Sequence, residues 1–194
     1  MSNNQEEWFD VVNEHDEVVG RESRREVHAR GLRHRAVHLL VVNRAGKVFL
    51  QKRSMAKDLH PGVWDSSASG HVGAGEDYDG TAVRELEEEI GLKLPEGSEV
   101  PPSPHSTSAG LRRTGAAPRP QIRPLFKIEA REETGQEFVW VYRVEAEGPF
   151  TLHPDEIERG DWFSPAEIDR WAAERPQELA PAFLYLWPKA RGMR

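Results

Sequence analysis

Glu85, Glu88 and Glu89 stand in a run of strong helix formers, and at about 100° per residue they share one side of a helix, within an arc of roughly 100°. Between Glu76 and Glu89 the chain places seven acidic residues and one base, Arg84. Like charges one turn apart destabilise a helix by about 0.2–0.5 kcal/mol per pair. Glu88 and Glu89 also sit at the C-terminal end, where the helix dipole opposes negative charge. Two arrangements relieve this crowding: a solvated acidic face, or a shared cation. Carboxylate oxygens are hard ligands, so the expected cation is Mg2+ or Mn2+. Mg2+ usually keeps waters and takes up substrate phosphate oxygens. The stretch Gly70-His71-Val72-Gly73-Ala74-Gly75 ahead of the helix leaves room for backbone groups to approach a metal or phosphate.

Five further side chains fit such a centre. Arg53 and Lys57 are candidate phosphate binders, the alternative being ordinary surface bases. His71 directly follows Gly70 and is a candidate ligand or phosphate donor. Glu137 and Glu156 could each supply an extra metal ligand or a base, the alternative being solvated carboxylates at strand ends. His28 and His34 read as histidines packed in a helix and a strand.

The surrounding pattern supplies elements to position these groups. Trp8–Val12 and Val18–Arg21 flank a polar turn, a hairpin signal. Residues 23–30 suit one or two helical turns ended by Gly31. Arg35–Asn43 reads as a buried strand and Lys47–Arg53 as its return, with an ordered loop over 54–69. The acidic helix is predicted over 79–90, with Asp79 as N-cap, Gly91 as stop, and Val83, Leu86 and Ile90 on its apolar side. Segment 95–121 holds six Pro, three Gly and four Ser and reads as a long loop. A second hairpin joins Leu125–Ala130 to Gln136–Val144. Trp140 and Tyr142 within it read as core or interface packing. Ser164-Pro165-Ala166-Glu167 is a capping box opening a helix to about Ala173, and Gln177–Trp187 suits a last helix with an aromatic face. The expected organisation is an N-terminal hairpin and short helix over 1–30, one domain over 31–175, and a C-terminal helix and tail over 176–194.

Composition narrows the function. The net charge of −7 disfavours a nucleic-acid polymer as partner, because phosphate contacts need a basic surface. With no cysteine there is no disulfide scaffold, zinc ribbon, iron–sulfur site or cysteine nucleophile. The N-terminus is polar and acidic, unlike a signal peptide, and there is no membrane-length apolar run, so a cytoplasmic protein is expected. Aromatic residues near both ends would suit a homodimer contact.

The stretch Gly70 to Leu92 matches G-x5-E-x7-R-E-U-x-E-E-x-G-U, U being a bulky aliphatic, at every specified position. It resembles the Nudix hydrolases. The flanks Pro61-Gly62-Val63-Trp64 and Trp162–Glu167 agree, and the resemblance covers most of residues 30–175. It implies an α/β/α sandwich with a mixed β-sheet, and metal-dependent cleavage of a diphosphate bond in a nucleoside diphosphate linked to another group, or in a similar small-molecule diphosphate. It implies Glu85, Glu88, Glu89 and the Gly70 carbonyl as metal ligands, an Arg84–Glu76 pair bracing the loop, and Glu85 as an alternative base. A narrower resemblance, from Arg53 to His71, is to the isopentenyl-diphosphate isomerases. Arg53 and Lys57 match their diphosphate-binding bases. His28, His34 and His71 lie near their metal-binding histidines, and Glu137 near their catalytic glutamate. Their essential cysteine is Ser69 here, and a hydroxyl cannot supply a readily ionised thiol. The expectation is therefore a hydrolase, with the isomerase and a non-catalytic diphosphate-binding module as alternatives.

Overall fold

The computed structural model describes residues 6–94 and 122–193. The 95–121 segment, read as a loop, lies outside the described residues. The centre of the fold is β3 (His34–Val42), whose side chains are apolar on both faces. Val37, Leu39 and Val41 enter one core with Ala82, Leu86 and Ile90, while Ala36, Leu40 and Val42 enter a second with Ile168, Trp171, Phe183 and Leu186. A strand apolar on both faces must be covered on both, and helices lie on each side. The result is the expected α/β/α sandwich.

The sheet is mixed. β3 runs parallel to β8 (Glu137–Glu145), and β8 pairs antiparallel with β7 (Ile122–Ile128). On its other edge β3 pairs with β6 (Ala68–His71) and, at Val42, with β4 (Val48–Arg53). β4 also pairs with β5 (Trp64–Asp65) and with β9 (Ile157–Phe163). This splay of β3 from β4 opens the space in which the candidate site lies.

Helix α2 (Tyr78–Ile90) carries the acidic cluster. Its N-cap is Asp77, whose carboxylate accepts from the Gly80 N–H at 2.7 Å. The helix thus starts earlier than the sequence reading placed it. Asp79 falls inside the first turn and accepts a hydrogen bond from the Tyr142 hydroxyl at 2.7 Å instead. The apolar stripe also shifts, to Ala82, Leu86 and Ile90, with Val83 only half-buried, because Glu85 and Glu89 are themselves turned inward. Gly91 (φ +67°) adopts the left-handed conformation and returns its N–H to the Glu87 carbonyl at 3.1 Å, ending the helix.

The N-terminal hairpin of β1 (Trp8–Val12) and β2 (Val18–Ser23) leads into α1 (Arg24–Arg30), capped by Ser23 and stopped by Gly31. It docks on the glycine-rich loop: the Ala74 N–H donates to the Trp8 carbonyl and the Gly75 N–H to the Asp10 carboxylate, each at 2.8 Å. Ser164 and Glu167 form the expected capping box of α3 (Pro165–Glu174). The last helix is α4 (Pro181–Ala190), preceded by a separate 3-10 turn at Pro176–Glu178. The continuous helix expected over 177–187 is broken because Pro181 has no N–H and forces Ala180 to be extended. Phe9, Phe183 and Trp187 are buried within this chain, whereas Trp8 is exposed. Trp140 and Tyr142 are core residues. Among the described residues no helix is long and apolar enough to cross a membrane.

Candidate active site

A cleft of about 820 Å3 lies at the end of the sheet where β3 and β4 part. Glu85, Glu88 and Glu89 line it, as do Gly70, His71, Arg53, Lys57, Glu137 and Glu156. These candidates and Arg84 therefore share one cavity, whereas His28 and His34 do not line it.

Glu85 and Glu89 are buried and Glu88 is exposed. Arg84 donates from Nη1 to Glu85 and to Glu88, each at 2.8 Å, and from Nη2 to Glu76 at 3.1 Å and to the His71 carbonyl at 3.3 Å. Glu76 also accepts from the Gly73 N–H and the Thr81 hydroxyl. These bonds hold its carboxyl below the usual range despite the opposing effect of burial. Arg84 and Glu76 thereby lock the glycine-rich loop onto α2. Glu89 accepts from the Gln51 amide and the Ser69 N–H, each at 2.9 Å.

Burial pushes the Glu85 carboxyl up to about 7, against the pull of Arg84. Burial and then the charge of Glu85 push Glu89 up to about 8. Two buried acids that resist joint ionisation form a donor set that a divalent cation would relieve. The Gly70 backbone lies against the Glu85 carboxylate, so closely that any side chain there would overlap it. Glu85 and Glu88 thus meet on the Arg84 guanidinium, while Glu89 is turned to Gln51 and Ser69 in the same cleft.

Lys57 forms an ion pair with Glu156 across the cleft mouth. Arg53 donates from Nη1 to Asp65 at 3.4 Å, and from Nε and Nη2 to the carbonyls of Leu59 and His60. It staples its own loop, each terminal nitrogen making one hydrogen bond among the described residues.

A second cluster adjoins the first. His28, His34, His71 and Glu137 each present one ligand atom, all within 4.8 Å of one another. β3 and β8 pair His34 directly opposite Glu137, while α1 and β6 bring in His28 and His71. His34 donates Nδ1–H to the Leu32 carbonyl at 2.9 Å, and its Nε2 lies 3.4 Å from Glu137. The His71 Nε2 lies 3.0 Å from Glu137. Phe9 stacks on His71 with ring centroids 4.7 Å apart. Burial, then the neighbouring His71 and His34, lower His28 to about 4, and burial lowers His71. Burial opposes ionisation of Glu137, but His34 and His71 outweigh it and hold the carboxyl well below its usual range. Three imidazoles around one carboxylate, with the His28 Nε2 unpartnered among the described residues, suit a divalent transition metal. Sequence spacing had read His28 and His34 as packed histidines. It had also missed Gln51, marked only as a polar residue within an apolar strand.

The family model for the NUDIX domain matches residues 32–183. The chain therefore belongs to the Nudix family. It is 34% identical over 181 residues to an uncharacterised Nudix hydrolase of Yersinia pestis, covering 93% of this chain and 86% of that one. A Streptomyces coelicolor relative, also an uncharacterised Nudix hydrolase, is 32% identical over 191 residues, covering 97% of this chain and 91% of its own. The crystal structure of DR0079 from Deinococcus radiodurans superposes with a TM-score of 0.73 at 26% identity, covering 94% of this chain and 98% of that one. The Nudix domain of Shewanella oneidensis NrtR, solved with ADP ribose, shares the fold at a TM-score of 0.55 and 15% identity, covering 88% of this chain and 98% of that one.

Proposed function

We propose that this chain hydrolyses the diphosphate bond of a nucleoside diphosphate linked to a second group. A Mg2+ or Mn2+ would be held by Glu85, Glu88, Glu89 and the Gly70 carbonyl. The observation that carries the reading is the convergence of two buried, proton-retaining carboxyls with a glycine backbone in the cleft that also holds Lys57. A divalent ion there supplies charge neutralisation for the two phosphates. Lys57 holds phosphate oxygens, helped by the Arg53 guanidinium, which lines the same cleft. Arg84 keeps the carboxylates and the loop in place. Water adds to one phosphorus, its proton passes to a cleft carboxylate, and the bridging P–O bond breaks. The two products each end in phosphate.

The test is phosphate and monophosphate release across nucleoside triphosphates, nucleotide sugars, dinucleotides, NADH, coenzyme A, ADP-ribose and isoprenoid diphosphates. Each is assayed with Mg2+, Mn2+ or EDTA. Metal-dependent cleavage of a member supports the reading. Binding without turnover across the panel supports a diphosphate-binding module instead.

The cluster of His28, His34, His71 and Glu137 favours a second reading, an isopentenyl-diphosphate isomerase. Ser69 weighs against it, since a serine hydroxyl does not ionise as a thiol does. Double-bond migration in isopentenyl diphosphate would support that reading over hydrolysis.

A further inference from the structure

Lys57 and Glu156 face each other over the acidic cluster, and the two are held very differently. Glu156 is fixed through its backbone. Its carbonyl accepts from the Ser54 N–H at 2.9 Å and its N–H donates to the His153 carbonyl at 3.1 Å. His153 in turn donates to the Glu89 carbonyl at 2.9 Å, so the Glu156 segment is tied to the C-terminal end of α2. Lys57 sits in a turn closed by its own N–H to the Ser54 carbonyl at 3.2 Å, beside the exposed side chains of Met55 and Leu59. Its ammonium is a compact charge on a flexible stem. Among the described residues that ammonium is paired with Glu156.

Arg84, the other cation at the cluster, cannot exchange in this way. It is anchored on Glu76 and the His71 carbonyl as well as on Glu85 and Glu88. Lys57 is the charge with somewhere to go. A diphosphate offers several anionic oxygens and is a stronger partner for an ammonium than one carboxylate.

We propose that Lys57 is an exchangeable counter-ion of the carboxylate centre. It competes with the divalent cation for the cluster and moves from Glu156 to the diphosphate of the substrate, so that Glu156 becomes the base for the attacking water. This inference rests on the proposed metal-dependent hydrolysis. Lys57 and Glu156 line the same cleft as Glu85 and Glu89, so a charge on one acts on the others. In the reaction, the water O–H proton goes to a Glu156 oxygen as the new P–O bond forms. The bond to the bridging oxygen breaks, and the leaving phosphate takes the electron pair. One residue thereby ties proton removal to substrate binding, since Glu156 is released only when Lys57 has a diphosphate to hold.

The test separates this role from plain phosphate binding. Mn2+ affinity of the carboxylate centre, taken as the binding that a Glu85→Gln, Glu88→Gln, Glu89→Gln variant loses, is measured by calorimetry without substrate for the wild type, Lys57→Met, Lys57→Arg and Glu156→Gln. KM and kcat are measured on the diphosphate substrate that the panel yields, or on ADP-ribose. Removing one positive charge beside an anionic site should tighten Mn2+ binding by about tenfold in Lys57→Met. Lys57→Arg should restore the wild-type affinity. KM should rise in Lys57→Met, while Glu156→Gln should lower kcat and flatten the acid limb of its pH profile. Wild-type Mn2+ binding that is unchanged in Lys57→Met would overturn the exchange alone. No Mn2+ binding by the wild type would overturn the metal centre and the exchange together. A fall in thermal stability in Lys57→Met and Glu156→Gln, with Mn2+ affinity, KM and kcat unmoved, would mark a structural ion pair and overturn the proposal.

Discussion

The backbone of Gly70 and the carboxylate of Glu85 are in direct contact, and a methyl group on Gly70 would overlap both carboxylate oxygens. Gly70 is not in the left-handed region, so alanine fits its backbone and the conflict is confined to the side chain of Glu85. Gly70→Ala should therefore fold and mis-set Glu85. We expect kcat to fall by about 100-fold, the cost of misplacing a reacting group by about an ångström. Turnover and circular dichroism of the purified variant check this. Wild-type turnover would mean that Glu85 is not needed at this position.

Glu88 is exposed, and its bond to Arg84 is an i,i+4 surface pair worth about 0.3–0.5 kcal/mol. Glu88→Gln should leave the melting temperature almost unchanged while abolishing metal-dependent turnover. Retained activity would sink the assignment of Glu88 to the metal centre.

The buried acids predict an inverted pH dependence of stability. In the unfolded chain Glu85 and Glu89 ionise near the ordinary 4.5, whereas in the fold they hold protons up to about 7 and about 8. The folded state binds more protons, so stability falls as pH rises from about 5 to about 8. The melting temperature of EDTA-treated protein should drop over that range. Glu89→Gln should flatten the drop, and added Mg2+ should raise the melting temperature most at the alkaline end. Melting curves across pH, with and without Mg2+, decide it.

Sequence order explains what could be read in advance. Glu85, Glu88 and Glu89 share one helix with Arg84, so helical spacing alone brings them together. The doubly apolar β3 is equally local and announces a strand covered on both faces. The His28–His34–His71–Glu137 cluster is different. It forms only because β3 and β8 pair in parallel, setting His34 opposite Glu137, and because the N-terminal hairpin folds α1 back over them. No local period encodes such a pairing. The N-cap error at Asp79 has a simpler cause, since Asp77 and Asp79 are both good caps and only the end of the glycine-rich loop chooses between them.

The histidine cluster should bind metal independently of the acidic helix. Because burial lowers His28 to about 4 and also lowers His71, their lone pairs are available at pH 7. Mn2+ or Zn2+ should remain bound to a Glu85→Gln, Glu88→Gln, Glu89→Gln triple variant. Removing His71 or Glu137 as well should weaken that binding by about 10–100-fold or more. Metal content after dialysis measures it, and a metal-free triple variant would argue for packed histidines.

Asp16 at the tip of the N-terminal hairpin should matter more to stability than any surface charge. Its buried carboxylate accepts from Arg35 and Lys127, each at 2.6 Å, and from the Tyr78 hydroxyl at 2.9 Å. It joins the hairpin to β3, β7 and α2 at one point. Removing the carboxylate leaves two largely buried cations facing each other, at a cost of about 3 kcal/mol. Asp16 also has φ +62°, a conformation that asparagine accepts more readily than alanine. Stability should therefore fall in the order wild type, Asp16→Asn, Asp16→Ala. The hairpin also anchors Ala74 and Gly75 of the glycine-rich loop, so turnover should fall in the same order. Denaturant midpoints and kcat for the three proteins test this together, and a drop in stability with unaltered turnover would show that the loop keeps its shape without the hairpin.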